Sequence, residues 1–115
     1  MISQEFAEYF KLAFKSIALE VHETAKDKDW WHEERNNGEM IALIHAELSE
    51  GLEALRKDLP SDHITGYSGI EEELADVIIR IMDMAEARNY RVASALLEKI
   101  AFNKTRPHKH GGKLF

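Results

Sequence analysis

Acidic side chains recur at helical spacing in two short runs of this sequence, Glu47-Leu48-Ser49-Glu50 and Glu73-Leu74-Ala75-Asp76. On an α-helix, positions i and i+3 lie about 60° apart around the axis and roughly one turn apart along it, so each run offers a pair of carboxylates on one face. A polar stretch with Gly, Pro and Ser separates the runs, which suits a turn between antiparallel neighbours. Folded that way, all the acids of both runs converge. Like charges that close are unfavourable unless a cation sits among them. The sequence has no cysteine, and hard carboxylate oxygens alone suit Mg²⁺, with Mn²⁺ as a substitute, rather than zinc. The expected metal set is Glu47, Glu50, Glu73 and Asp76.

The elements that must position these acids follow from the apolar periodicity. At about 100° per residue, Ile41, Ile44, Leu48, Leu52 and Leu55 share one stripe with Gly51 in its middle. Glu47 and Glu50 flank that stripe beside Leu43 and Ala54, while Glu53 points further round to solvent. Ile70, Leu74, Val77, Ile78, Ile81 and Ala85 form a second stripe, flanked by Glu73 and Asp76. Acids on an amphipathic helix are ordinarily just its solvated side. What sets these apart is that both pairs border a face expected to be buried.

Taken in order, Ser3 can cap a first helix running to about Lys26, with Phe6, Phe10, Ala13, Phe14, Ile17 and Val21 at helical spacing. Lys26 to Asn37 reads as a charged connection carrying the adjacent Trp30 and Trp31. Two readings of these indoles stay open: a plug at the end of a helix bundle, or a stacking surface for a flat ring such as a base. Asn36 or Asn37 caps a second helix that ends near Leu59, before Pro60. Ser68 and Glu71 then have the capping-box spacing for a third helix reaching about Ala87. A fourth runs from about Arg91 to Lys104 with Val92, Leu96, Leu97 and Ile100, ahead of Arg106-Pro107. No alternating strand pattern occurs. The expected fold is all-α, a bundle of four to five helices in a single domain over 1–115, with an irregular basic tail from about 105.

Charge and composition bound the function. The net charge of −6 argues against binding nucleic-acid polymer. Its distribution is uneven: after Glu98 there is no acid, yet Lys99, Lys104, Arg106, Lys109 and Lys113 follow. An acidic centre and a basic tail suit a small ligand bearing phosphates together with a metal; the plainer reading is a solvated terminal tail. No apolar run approaches the ~20 residues of a membrane span. The start lacks a basic, cleavable leader pattern, so the expectation is a cytoplasmic protein without a membrane partner. Heavily apolar helix faces in so short a chain point to a homo-oligomer.

These features together resemble the MazG-like all-α nucleoside triphosphate pyrophosphohydrolase superfamily. The resemblance is carried by Trp30-Trp31, by the run from Ile41 to Glu50 (IALIHAELSE), by Glu73-Leu74-Ala75-Asp76-Val77, and by the tail from Lys99 to Lys113 (KIAFNKTRPHKHGGK). It covers the chain from about residue 22 onward. The short acidic motifs are weak singly, and their order ahead of a basic Asn-Lys-x-Arg-Pro tail is far more specific. The resemblance implies Mg²⁺-dependent cleavage of a (deoxy)nucleoside triphosphate to monophosphate and pyrophosphate, in a homodimer or homotetramer. It implies metal ligation by Glu47, Glu50, Glu73 and Asp76, and phosphate contacts from Lys99, Asn103, Arg106 and Lys113. One departure is Ala46, where many members have Glu directly before the first motif acid.

The chemistry needs a water that attacks the triphosphate in line, activated on the metal or deprotonated by a motif acid. Glu50 is the expected general base, with Glu47 the alternative; Trp30 and Trp31 are the expected base-stacking residues. His22, His32 and His45 read as structural, and His108 and His110 as solvated. A phosphoribosyl-ATP pyrophosphohydrolase is the nearest alternative within the enzyme class. A catalytically idle nucleotide-binding oligomer and a plain assembly module are the alternatives outside it.

Overall fold

Ser3 starts the first helix as the sequence predicts, its Oγ accepting the Phe6 N–H at 3.1 Å. In the computed structural model, which describes residues 1–107, α1 spans Gln4–Asp27, α2 Asn37–Lys57, α3 Gly69–Arg88 and α4 Val92–Lys104. Among the described residues there are four helices and no strand, an all-α arrangement. None of these helices is long and apolar enough to cross a membrane.

The starts and stops have local causes. Asn36 Oδ1 accepts the Glu39 N–H at 2.7 Å and so caps α2. Ser68 and Glu71 close a capping box on α3, with Glu71 N–H to Ser68 Oγ at 3.3 Å and Ser68 N–H to Glu71 Oε1 at 2.9 Å. The three longer helices end alike, on a residue in the left-handed region: Asp29 after α1 (φ 64°), Asp58 after α2 (φ 51°) and Asn89 after α3 (φ 57°). The next N–H bonds back across the last turn each time, Trp30 to the Ala25 carbonyl, Leu59 to Ala54 and Tyr90 to Ala85, at 2.9–3.0 Å. Asx side chains tolerate this conformation where glycine is the usual occupant. With Asp58 as its cap, α2 therefore ends at Lys57, two residues before the expected Leu59, and Pro60 follows the stop rather than causing it.

The described residues divide into two compact units, residues 17–90 and a second made of residues 1–16 with 91–107. In the first, α2 and α3 pack antiparallel, since Asn37 meets Arg88, Glu47 meets Arg80, Gly51 meets Glu73 and Ala54 meets Gly69. Small residues set that approach. A Cβ on Gly51 would lie 2.9 Å from Ile70 Cδ1 and 3.5 Å from Glu73 Cβ, and one on Gly69 would lie 3.0 Å from both Ala54 Cβ and the Leu59 carbonyl oxygen. The turn between the helices is pinned by Ser61 N–H to the Tyr67 carbonyl and Gly69 N–H to the Leu59 carbonyl, 2.9 Å each.

Here the structure departs from the expected burial. Ile41, Leu48, Leu52 and Leu55 were to face inward, yet all are exposed in the single chain, from 44% at Ile41 to 59% at Leu55. Leu74 and Ile78 on α3 are exposed as well. The buried apolar side chains of this unit are Ala18, Ala25, Met40, Ala54, Met82 and Ala85. Apolar periodicity marks a stripe but not its partner. Close α2–α3 contact selects the small residues Gly51 and Ala54, and the leucines are left outside.

In the second unit Ala93 is buried on α4, and the Phe10 and Phe14 rings meet at 6.0 Å with a 58° tilt.

Candidate metal centre and its surroundings

Antiparallel register brings the two acidic runs together. Carboxylate oxygens of Glu47, Glu73 and Asp76 all lie within 4.8 Å of one another, each residue half-buried. Glu73 is the innermost acid in chemical terms. Its Oε2 is buried with no hydrogen-bond partner among the described residues. Burial, helped by the nearby Glu47 and Glu50 carboxylates, pushes the Glu73 carboxyl up to about 8. Burial also raises Asp76, aided by the charges of Glu47 and Glu72, while Arg80 opposes the shift. Glu50 is exposed and stands outside the three-oxygen cluster, but it is near enough to Glu73 to contribute to that shift.

Octahedral Mg²⁺ holds its oxygens at about 2.1 Å, so opposed ligands stand about 4.2 Å apart. The spread of the three carboxylates fits that span with small side-chain movement. A buried, unbonded carboxylate oxygen is the kind of atom a cation satisfies.

Arg80, one turn beyond Asp76, reaches this cluster, with its Nε 3.1 Å from Glu47 Oε1. Its guanidinium also lies 6.0 Å from the Trp30 ring centroid.

The two neighbouring indoles have different surroundings. Trp31 is half-buried and donates its Nε1–H to both Asp83 oxygens at 3.1 Å. The His22 ring meets it edge-on at 5.3 Å, and the Arg35 and Arg88 guanidinium groups lie 5.0 and 5.6 Å from its centroid. Trp30 is 51% exposed and lines an open cavity of ≈ 280 Å³ with Ile17, Val21, Ala25 and Ile79. Asp83 itself is 5% exposed; it also accepts from His22 Nδ1 at 2.7 Å, and Arg35 Nη1 lies 3.6 Å away. His22 is thus held between the Asp83 carboxylate and the Trp31 ring.

Lys99, Asn103 and Arg106 belong to the second unit, all exposed on α4 or just after it. Lys99 and Arg106 are drawn together by one ring, with Lys99 Nζ 4.7 Å and the Arg106 guanidinium 5.9 Å from the Phe102 centroid. Lys113 lies outside the described residues.

No family model, curated protein or solved structure matches this chain.

Periodicity and spacing missed Arg80, Asp83 and Arg35. Arg80 has a signal in hindsight, because i+4 from Asp76 lies on the same helix face. Asp83 has one too: it is a lone acid in the otherwise apolar run from Val77 to Ala85, apart from Arg80.

Proposed function

We propose that this chain is a Mg²⁺-dependent nucleoside triphosphate pyrophosphohydrolase of the MazG-like kind, working as a homodimer or homotetramer. The observation that carries the reading is the convergence of Glu47, Glu73 and Asp76, one of which, Glu73, also has a buried oxygen with no hydrogen-bond partner among the described residues. The motif order in the sequence supplies the reaction class. The exposed leucine and isoleucine stripes of α2 and α3 support self-association, since a surface that apolar is rarely left to water.

Glu47, Glu73 and Asp76 would hold the ion, with Glu50 completing the set at the exposed edge. When bound, Mg²⁺ polarises the phosphate oxygens and lowers the pKa of a nearby water. Glu50, exposed beside the cluster, accepts the proton of the attacking water, with Glu47 as the alternative. The water oxygen bonds to the α-phosphorus as the bond to the bridging oxygen breaks, giving monophosphate and pyrophosphate. Lys99, Asn103, Arg106 and Lys113 are the proposed phosphate contacts, and Trp30, the more open indole, is the better placed of the two to stack on a base.

A screen of all (d)NTPs with Mg²⁺, resolved by chromatography, tests this. Monophosphate and pyrophosphate in equal amounts are expected. Orthophosphate with a diphosphate, or no turnover of any nucleotide, overturns the reading.

A further inference from the structure

Building on the hydrolase reading, we propose that Arg80 is a substrate-binding residue held in reserve on Glu47, released to the phosphate chain when a divalent cation enters the carboxylates. Glu47 has a double role in this geometry. It supplies one of the three converging oxygens, and its Oε1 already accepts from Arg80 Nε at 3.1 Å. The pair is partly shielded, with side chains 27% and 13% exposed, so the guanidinium is a real counter-ion to the cluster. A divalent cation among these carboxylates takes over that neutralisation and repels Arg80.

The freed group is well suited to phosphate. Its bond to Glu47 runs through Nε, which leaves out the paired Nη donors that match phosphate oxygens in a fork. Its position suits it as well, between the carboxylates and Trp30, whose ring centroid is 6.0 Å from the guanidinium carbon. A nucleotide with its phosphates at the acids and its base toward the open Trp30 side must pass Arg80. Arg80 stands at the acids themselves.

The test uses Mg²⁺ alone and inorganic tripolyphosphate, which has no base to confuse the result. Calorimetry on the native chain and on Arg80→Met should show Mg²⁺ binding retained or tightened in the variant, because a competing positive charge is gone. Tripolyphosphate with Mg²⁺ should bind the variant at least tenfold more weakly. Mg²⁺ should also change the tryptophan emission of the native chain as the guanidinium leaves Trp30, and leave Arg80→Met unchanged. Arg80→Lys keeps the charge beside Glu47 and guards against a folding defect. It should melt like the native chain and still bind tripolyphosphate several-fold more weakly, because the fork is lost.

Weakened Mg²⁺ binding in Arg80→Met, or native tripolyphosphate affinity in both variants, overturns the proposal and leaves the hydrolase reading standing. Failure of the native chain to bind Mg²⁺ at all removes both.

Discussion

Trp31 donates one indole N–H to both oxygens of Asp83, at 3.1 Å each, and so ties the connection after α1 to the C-terminal half of α3. The same carboxylate takes the His22 imidazole N–H at 2.7 Å. A carboxylate this buried is stable only while its donors are present.

Asp83→Asn should therefore destabilise the chain by about 1.5–3 kcal/mol, the scale of a hydrogen bond to a charged group. Trp31→Phe, which keeps a ring but loses the N–H, should cost about 1–3 kcal/mol through the unsatisfied acceptor. Urea unfolding followed by circular dichroism measures both. Native midpoints in both variants contradict the assignment of Asp83 as the element that orders this connection.

The neighbouring indole should behave in the opposite way. Trp30 is half exposed beside an open cavity, so Trp30→Ala should leave the urea midpoint nearly unchanged. If a base stacks there, the same variant should weaken nucleotide binding by about 1–3 kcal/mol, seen in KM rather than kcat. An unchanged KM assigns the base elsewhere.

Glu73 should leave a signature in the pH dependence of stability. Its folded-state value near 8 lies above the ordinary 4.5. A raised value means that the contribution is complete below about 4.5 and fades as pH rises toward 8, where the folded chain must ionise a buried acid. In chelator, Glu73→Gln should gain on the native chain as pH rises from 5 to about 8. A constant difference between the two melting curves across that range contradicts the burial argument.

The turn before α3 has its own titration. His63 Nδ1 lies 2.7 Å from Glu72 Oε2, and Ser61 Oγ donates to the other oxygen of that carboxylate. The Ser61 hydroxyl and the imidazole pull Glu72 down to about 2, and Glu72 in turn raises His63 above its usual range. The Glu72 contribution is present above the ordinary carboxylate range and fades as pH falls toward 2; that of His63 is present in acid and fades as pH rises past its folded value. Proton NMR should show His63 titrating above 6.5 in the native chain and returning toward that value in Glu72→Gln. No difference between the two titrations removes the contact from solution.

Much of this was legible in the residues. Ser3, Asn36 and the Ser68–Glu71 box fixed three helix starts, because an N-cap needs only an oxygen at a set spacing from a backbone N–H. The i, i+3 acids placed Glu47, Glu73 and Asp76 on facing sides once the helices were read as antiparallel. The helix ends were less legible, since Asp29, Asp58 and Asn89 occupy a conformation that sequence reading assigns first to glycine. The apolar stripe misled for a different reason: Gly51, Ala54 and Gly69 decide how close α2 and α3 come, and small residues carry little weight in a periodicity. Arg80 stayed hidden because its bond to Glu47 spans 33 residues of sequence.

Cation binding at the carboxylates is the central claim, and the melting temperature of the native chain with and without Mg²⁺ tests it most directly. An ion that binds only the folded state adds about 2.7 kcal/mol at a hundredfold excess over Kd. Melting should rise by several degrees on adding Mg²⁺ and return on chelation, and Glu47→Gln or Asp76→Asn should abolish the rise without preventing folding. A native melting curve that ignores Mg²⁺ and Mn²⁺ at millimolar concentration would contradict the claim, and Glu47, Glu73 and Asp76 would then be a crowded acidic surface without a cation.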